Sequence, residues 1–249
     1  MSIELLDVHK AFGDKEILKG FSLTVEDGET LSVIGYSGSG KSVMLKHIIG
    51  LMQADRGSVH VDGKDVGALG GSGLTELRRN VGYVFQFAAL FDSMTIGENV
   101  AMGLHRIPDM DEEEIEARVR ECLSLVDLHD VCDRYPAEMS GGMKKRAGLA
   151  RAIATGPKYL LYDEPTTGLD PVTVKVIDRL NIRLKEELGV TGIVITHDMD
   201  SAYRISDRIA MLYEGKMRVV GTVEEIRNSE DPLVRAFVEG RPELMEGVS

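Results

Sequence analysis

The segment GYSGSGKS, residues 35–42, decides the fold predicted for this chain of 249 residues. It follows the apolar run TLSVI and precedes apolar residues at helical spacing, so we predict a strand, a glycine-rich turn and a helix in succession. Glycines let backbone N–H groups point inward around phosphate oxygens, and the helix N-terminus adds partial positive charge. Lys41 would place its charge on the β- and γ-phosphates, and Ser42 would offer a hydroxyl to Mg²⁺. The segment therefore predicts a nucleoside triphosphate site.

Two carboxylates follow a second apolar run, YLLY, as Asp163 and Glu164. Such a pair is common and proves little alone. Beside a phosphate loop, however, Asp163 is positioned to hold Mg²⁺ through water, and Glu164 to polarise the water that attacks the γ-phosphate. The pair predicts hydrolysis of the nucleotide.

A second glycine-rich helix start, MSGGM, occupies residues 139–143. The N-terminus of a helix is an anion site, and one nucleotide does not need two such sites from one chain. We therefore expect residues 140–142 to serve the γ-phosphate held by a partner chain.

The order of apolar runs predicts an α/β fold. Strands alternate with helices over most of the chain, which favours a mainly parallel sheet with helices on its faces. The stretch from about 95 to 155 lacks strand patterns and is predicted to be an inserted helical subdomain. Residues 67–73, GALGGSG, are predicted to form a flexible loop.

Composition excludes several classes of protein. The net charge is 29 − 41 = −12, which argues against a protein that coats nucleic acid. The best apolar stretch, residues 43–52, is interrupted by Lys46 and His47, so no membrane span is expected. The N-terminus has no basic or apolar region typical of a secretory signal. Cys122 and Cys132 fit neither a disulfide framework nor a metal pair.

These motifs, in this order, resemble the ATPase subunits of ATP-binding-cassette (ABC) transporters over about residues 3–240. The resemblance implies a P-loop NTPase (RecA-like) core, an N-terminal antiparallel β subdomain and the inserted helical subdomain, followed by a tail at 241–249. It implies ATP hydrolysis coupled to transport, with ATP and Mg²⁺ as cofactors.

The resemblance also assigns roles to individual residues. Phe12 matches the aromatic residue that stacks on adenine, and Gln86 matches the glutamine that contacts Mg²⁺ and water and senses the permease. Asp170 matches the D-loop, which crosses the dimer seam, and His197 matches the histidine that contacts the γ-phosphate. The nucleotide-binding residues implied are Phe12, Gly35, Tyr36, Ser37, Gly38, Ser39, Gly40, Lys41, Ser42, Val43, Ser140, Gly141, Gly142 and Asp170. The catalytic residues implied are Glu164, His197, Gln86 and Lys41, and the metal-binding residues are Ser42, Gln86 and Asp163.

The chain departs from the family pattern at three positions. The family signature usually reads Leu-Ser-Gly-Gly-Gln, whereas Met139 and Met143 flank the central residues here. Val43 stands where threonine is common. The lost glutamine removes one polar contact, so we expect an effect on the rate rather than a loss of activity.

A narrower resemblance rests on FQFAALFDSMTIGENVA (residues 85–101) and MSGGMKKRAGLARAIA (residues 139–154). These stretches are similar to MlaF-type ATPases of mammalian-cell-entry systems. That similarity implies phospholipid trafficking between bacterial membranes and a peripheral position on the cytoplasmic face of the inner membrane. The implied partners are an inner-membrane permease, a periplasmic mammalian-cell-entry subunit that binds lipid, and a small STAS-domain protein.

Two other functions remain open from the sequence. The same ATPase could serve a transporter of amino acids, ions or drugs. A cassette ATPase without a transport role is the other alternative. Only 140 − 41 = 99 positions separate Lys41 from Ser140, which leaves no room for the coiled coil of chromosome-type proteins. Translation-factor relatives carry two cassettes in one chain, whereas this chain has one. Among cassette ATPases without a transport role, an assembly scaffold therefore remains as the alternative.

Overall fold

The structure is a computed structural model that describes residues 3–241 and 243. The described chain divides into two compact units. The first contains the residues up to Leu74 together with those from Ile193 onward, and the second is Thr75–Gly192. Within the described residues, no helix has the length and apolarity needed to cross a membrane.

The elements follow one another along the chain as strands (β) and helices (α). The strands are β1 (Ile3–Phe12), β2 (Lys15–Val25), β3 (Thr30–Ile34), β4 (Arg56–Val61), β5 (Lys64–Asp65), β6 (Val81–Val84), β7 (Tyr159–Asp163), β8 (Thr191–Ile195), β9 (Arg208–Tyr213) and β10 (Lys216–Thr222). The helices are α1 (Lys41–Ile48), α2 (Gly71–Arg79), α3 (Ile96–Ala101), α4 (Glu112–Leu125), α5 (Gly141–Ile153), α6 (Pro171–Leu188), α7 (Met199–Ile205), α8 (Val223–Arg227) and α9 (Pro232–Val238).

An antiparallel sheet in the first unit has the strand order β2-β1-β4-β5. Ile3, Leu5 and Val8 of β1 are fully buried, as expected for a sheet with one face against a core. The two apolar runs on either side of Gly20 belong to one long strand, β2. The pairing with β1 shifts register at Gly20, which adopts a positive φ of 77° at this bulge.

The parallel part of the first unit carries the phosphate loop. Its strands lie in the order β10-β9-β3-β8, and β3 pairs in parallel with β9, with Leu31 opposite Arg208. Every residue of β3 is buried, which is typical of a strand covered on both faces. The chain leaves β3 at Ile34, forms the loop and enters α1 at Lys41, which is the predicted succession.

In the second unit, β6 pairs in parallel with β7, and Val81 lies opposite Tyr159. Residues 95–155, all of them described, contain α3, α4 and α5 and no strand. Arg118 of α4 donates from Nε to the carbonyl of Ala154 at 3.0 Å and from Nη2 to that of Ile153 at 3.1 Å. These bonds satisfy carbonyls at the end of α5 and hold the two helices together.

The prediction for residues 67–73 was wrong. A short 3-10 helix covers Val66–Ala68, and α2 begins at Gly71. Glycine is a poor helix former, so the composition favoured a loop. Burial of Leu77 on one face of α2 outweighs that preference.

Candidate functional site

The phosphate loop (residues 35–42) is built on the first unit around two close approaches. A Cβ on Gly35 would lie 2.2 Å from the carbonyl oxygen of Leu212, and one on Gly40 would lie 2.9 Å from Leu18 Cδ2. Both glycines also have positive φ, of 149° and 108°. Larger residues are therefore excluded, and the loop backbone can wrap tightly at the start of α1.

Lys41 reaches back over this loop. Its Nζ donates to the carbonyl of Gly35 at 2.7 Å and to that of Tyr36 at 3.0 Å, and the side chain is buried. These bonds hold the ammonium group inside the loop, where a bound phosphate would meet a positive charge.

Ser39 supplies an observation that favours a ligand in the loop. Its Oγ is buried and has no hydrogen-bond partner among the described residues. A buried hydroxyl without a partner costs free energy, so a phosphate oxygen would offset that cost. Ser37 and Gly38 are exposed on the same turn, and Ser42 and Val43 are half-buried.

Tyr36, which the sequence places among the nucleotide contacts, is half-buried. Its ring meets Phe237 edge to face, with centroids 5.1 Å apart, and meets Tyr213 at 6.1 Å. These contacts anchor the loop to α9.

Phe12 and His197 also belong to the first unit. Phe12 is the last residue of β1 and is 48% exposed, so it is not a core residue. Lys10 Nζ lies 5.9 Å from the centroid of its ring. His197 is exposed in the link that joins β8 to α7, and Asp198 caps α7 by accepting from Ser201 N at 3.1 Å.

In the second unit, Asp163 ends β7. The hydroxyl of Tyr83 on β6 donates to Asp163 Oδ2 at 3.0 Å. Burial and the neighbouring Asp163 carboxylate both raise the pKa of Tyr83, so the phenol stays protonated and remains a donor. This hydrogen bond fixes the orientation of the Asp163 carboxylate.

Glu164 follows with a left-handed backbone, φ 51°. A non-glycine residue held there is strained, and such strain is common at functional sites. Its Oε2 accepts from Thr167 Oγ1 at 2.9 Å and from Gln86 Nε2 at 3.3 Å. The structure thus brings Gln86 and Glu164 together, as two of the predicted catalytic residues.

The signature residues 140–142 begin α5. Ser140 is the N-cap, and its side chain accepts from Met143 N at 3.3 Å, while Gly141 is exposed. A Cβ on Gly142 would lie 2.8 Å from Thr173 Cγ2 of α6. Asp170 caps α6 through bonds from the Val172 and Thr173 backbone N–H groups, each 3.0 Å.

Sequence reasoning missed three residues of this site. Tyr83 contacts Asp163, Lys145 contacts the loop after β7, and Thr167 contacts Glu164. Lys145 could have been noticed as a charge on an apolar helix face, because helical spacing puts it on the same side of α5 as the buried Gly148 and Leu149. Nothing in the sequence pairs Tyr83 with Asp163.

The residues fit the cofactors that the motifs imply. The unpartnered Ser39 hydroxyl and the glycine-lined loop suit a polyphosphate. The first unit offers the hydroxyl of Ser42, and the second unit by itself offers the amide of Gln86 and the carboxylate of Asp163; Mg²⁺ prefers oxygen ligands of these kinds.

Comparison with known proteins identifies the family. A family model described as ABC transporter matches residues 18–167. The chain belongs to the ABC transporter family. The match covers the phosphate loop, the signature residues and both carboxylates of the sequence pair.

Two curated relatives illustrate the range of ABC proteins that this chain resembles. The methionine import ATP-binding protein MetN 1 of Pseudomonas putida is 40% identical over 98% of this chain and 75% of its own length. The Arabidopsis thaliana chloroplastic protein TRIGALACTOSYLDIACYLGLYCEROL 3 is 41% identical over 96% of this chain and 73% of its own. Neither relative singles out the MlaF-type ATPases.

A solved ABC structure confirms the fold class and the activity. The dimeric post-hydrolysis state of the ATP-binding cassette MJ0796, bound to ADP and phosphate, matches with a TM-score of 0.82 and 34% identity. The match covers 89% of this chain and 98% of that one. The chain is therefore an ABC ATPase that couples ATP hydrolysis to transport, and it uses ATP with Mg²⁺.

Proposed function

We propose that this chain is the energising subunit of an ABC importer for a small polar solute such as an amino acid. The observation that carries the proposal is the similarity to a methionine import ATP-binding protein along 98% of this chain. This cargo belongs to the alternative left open by the sequence, and it is favoured over phospholipid because the relative's name states an import function.

In the proposed cycle, two copies meet head to tail. ATP lies against the phosphate loop of one copy and against Ser140, Gly141 and Gly142 of the other. The N-terminus of α5 supplies backbone N–H groups and a partial positive charge to the γ-phosphate. The dimeric cassette MJ0796 supports this arrangement as a model for the pair.

We assign the chemistry to the residues described above. Glu164 would accept a proton from the attacking water, and His197 would contact the γ-phosphate. Phe12 would stack on adenine. Asp163, with Ser42 and Gln86, would hold Mg²⁺, which when bound neutralises charge on the phosphates.

The importer needs a polypeptide that crosses the membrane, and we propose a separate permease for that role. Gln86 and the segment after it would respond to the permease. The chain would then lie on the cytoplasmic face of the membrane as a peripheral subunit.

Phospholipid trafficking is the second candidate, and a surface feature favours it. Phe85, Phe87 and Phe91 are all exposed, and Phe87 is 81% exposed. Arg151 holds this segment by donating 2.7 Å bonds to the carbonyls of Ala88 and Ala89. The Arabidopsis relative carries the name of a galactolipid. The mammalian-cell-entry and STAS-domain partners belong to this candidate.

The two candidates differ in what the complex carries. A tag on this chain would recover it with its permease, and the complex would be reconstituted in lipid nanodiscs. We expect one of the free amino acids, added singly to the recovered complex, to stimulate ATP hydrolysis. We also expect the bound lipid to match the bulk membrane. No stimulation by any amino acid, with enrichment of one phospholipid class, would replace the importer by the second candidate. A complex containing Glu164→Gln controls for other ATPases.

A further inference from the structure

Lys145 is a buried lysine on α5, the helix that begins at the signature residues. It lies one turn into α5, and only 9% of it is exposed. Its Nζ donates to the carbonyl oxygen of Thr167 at 2.8 Å. Both residues belong to the second unit. A buried ammonium group is costly to desolvate, so its position requires compensating partners.

The partner of Lys145, Thr167, also donates a hydrogen bond to the Glu164 carboxylate. Thr167 Oγ1 donates to Glu164 Oε2 at 2.9 Å, and Thr167 N donates to the Glu164 carbonyl at 3.3 Å. The lysine therefore holds one side of Thr167 while the other side of Thr167 holds Glu164. This chain of contacts runs from α5 to the end of β7.

Glu164 needs such support because of its backbone. Its φ of 51° is unfavourable for a residue with a side chain, and surrounding contacts must maintain that conformation. A turn bond from Thr167 N to Glu164 O closes the short loop of residues 164–167. The bond from Lys145 fastens the far end of this loop to a helix.

The charge of Lys145 acts in the same direction. Burial lowers the pKa of Lys145, and the Glu164 carboxylate counters this effect by raising it. The ammonium group and the carboxylate therefore attract each other. This attraction and the two hydrogen bonds of Thr167 both hold Glu164 toward α5.

We propose that Lys145 is a positioning residue for hydrolysis, which fixes the loop of residues 164–167 through the Thr167 carbonyl and so orients the Glu164 carboxylate. The inference rests on the proposed role of Glu164 as the acceptor of the proton from water. It predicts an effect on the chemical step and none on nucleotide binding, because neither Lys145 nor Thr167 belongs to the phosphate loop.

The test compares ATP hydrolysis by transporter complexes assembled with full-length variants. We expect Lys145→Met to lower kcat about tenfold or more while KM for ATP changes less than about twofold. Lys145→Arg keeps the charge and a donor, and should recover most of kcat. Lys216→Met, the same substitution at an exposed lysine of β10, is the matched control and should hydrolyse ATP like the unmodified protein.

Thr167→Val separates the positioning role from a general loss of structure. It removes the hydroxyl that contacts Glu164, and it should lower kcat without raising KM. If Lys145 acts through Thr167, the double variant should lose no more activity than the more severe single variant. If Lys145→Met does not fold, Thr167→Val and Lys145→Arg decide the matter by the same criteria.

Three results would overturn the inference. The first is an unchanged kcat in Lys145→Met, and the second is a fall in kcat accompanied by an equal rise in KM. The third is a double variant whose fold-loss in kcat equals the product of the two single losses. Glu164→Gln, measured in parallel, keeps the proposals distinct. Full turnover in Glu164→Gln would refute the role of Glu164 itself. Loss of turnover there, with normal turnover in Lys145→Met, would refute the role of Lys145 alone.

Discussion

Gln86 Nε2 donates to Glu164 Oε2 over 3.3 Å, although 78 positions separate the two residues in the chain. The contact joins the glutamine proposed to sense the permease to the carboxylate proposed to activate water. A shift of the segment that contains Gln86 would therefore change the hydrogen bonding of Glu164 directly. This gives a physical route from the permease to the chemical step within the second unit.

The first prediction concerns the carboxylate itself. Glu164→Gln keeps the size of the side chain and removes its ability to take a proton, so kcat for ATP hydrolysis should fall about a hundredfold or more. Binding of ATP should persist, and a stable ATP-bound dimer should accumulate, since the pair cannot proceed to hydrolysis. Phosphate release and gel filtration with ATP would measure both effects. Steady-state turnover at the unmodified rate would contradict the assignment.

The second prediction concerns the phosphate loop. Lys41→Ala removes an ammonium group held 2.7 Å from the Gly35 carbonyl, and with it the positive charge offered to the phosphates. A charged hydrogen bond contributes about 1.5–3 kcal/mol, so the Kd for ATP should rise about tenfold or more. Titration with a fluorescent ATP analogue would measure this change. Lys46→Ala, on the same helix and half-exposed, is the control, and an equal effect in both variants would count against the loop.

The fold was predictable where short motifs and apolar periodicity determine it. The strand at residues 30–34 and the helix after Lys41 lie where the sequence placed them. The acidic start of α4 was also predictable: Asp111 and Glu114 form a capping box, with bonds of 2.9 and 3.0 Å. These features depend on residues only a few positions apart.

The candidate site was predictable as a list of residues but not as a set of contacts. Tyr83 and Asp163 are 80 positions apart, and Lys145 and Thr167 are 22 apart. Their pairing depends on how strands and helices pack, which no local pattern encodes. The ring of Tyr36 is a similar case, because its partners Tyr213 and Phe237 come from the far end of the chain.

The third prediction follows from the Tyr36 ring. Phe237 packs against it at 5.1 Å and is half-buried, so Phe237→Ala should lower the free energy of unfolding by about 1–3 kcal/mol. Urea denaturation would measure the change. Phe87→Ala provides the matched control, because Phe87 is largely exposed and should change stability by less than about 0.5 kcal/mol. Equal stability of the two variants would mean that α9 does not anchor the loop.

The last prediction uses the two cysteines. Cys122 is fully buried in α4, and burial raises the pKa of its thiol to about 11. Thiolate is the reactive form, so burial slows alkylation of Cys122 both by shielding its sulfur and by raising its pKa. Cys132 is half-buried, and burial raises its pKa too, yet its sulfur is more accessible. Iodoacetamide labelling read by peptide mass should therefore modify Cys132 first in the folded protein. In denaturant the two rates should converge, and equal rates in the folded protein would show that α4 opens faster than the reagent reacts.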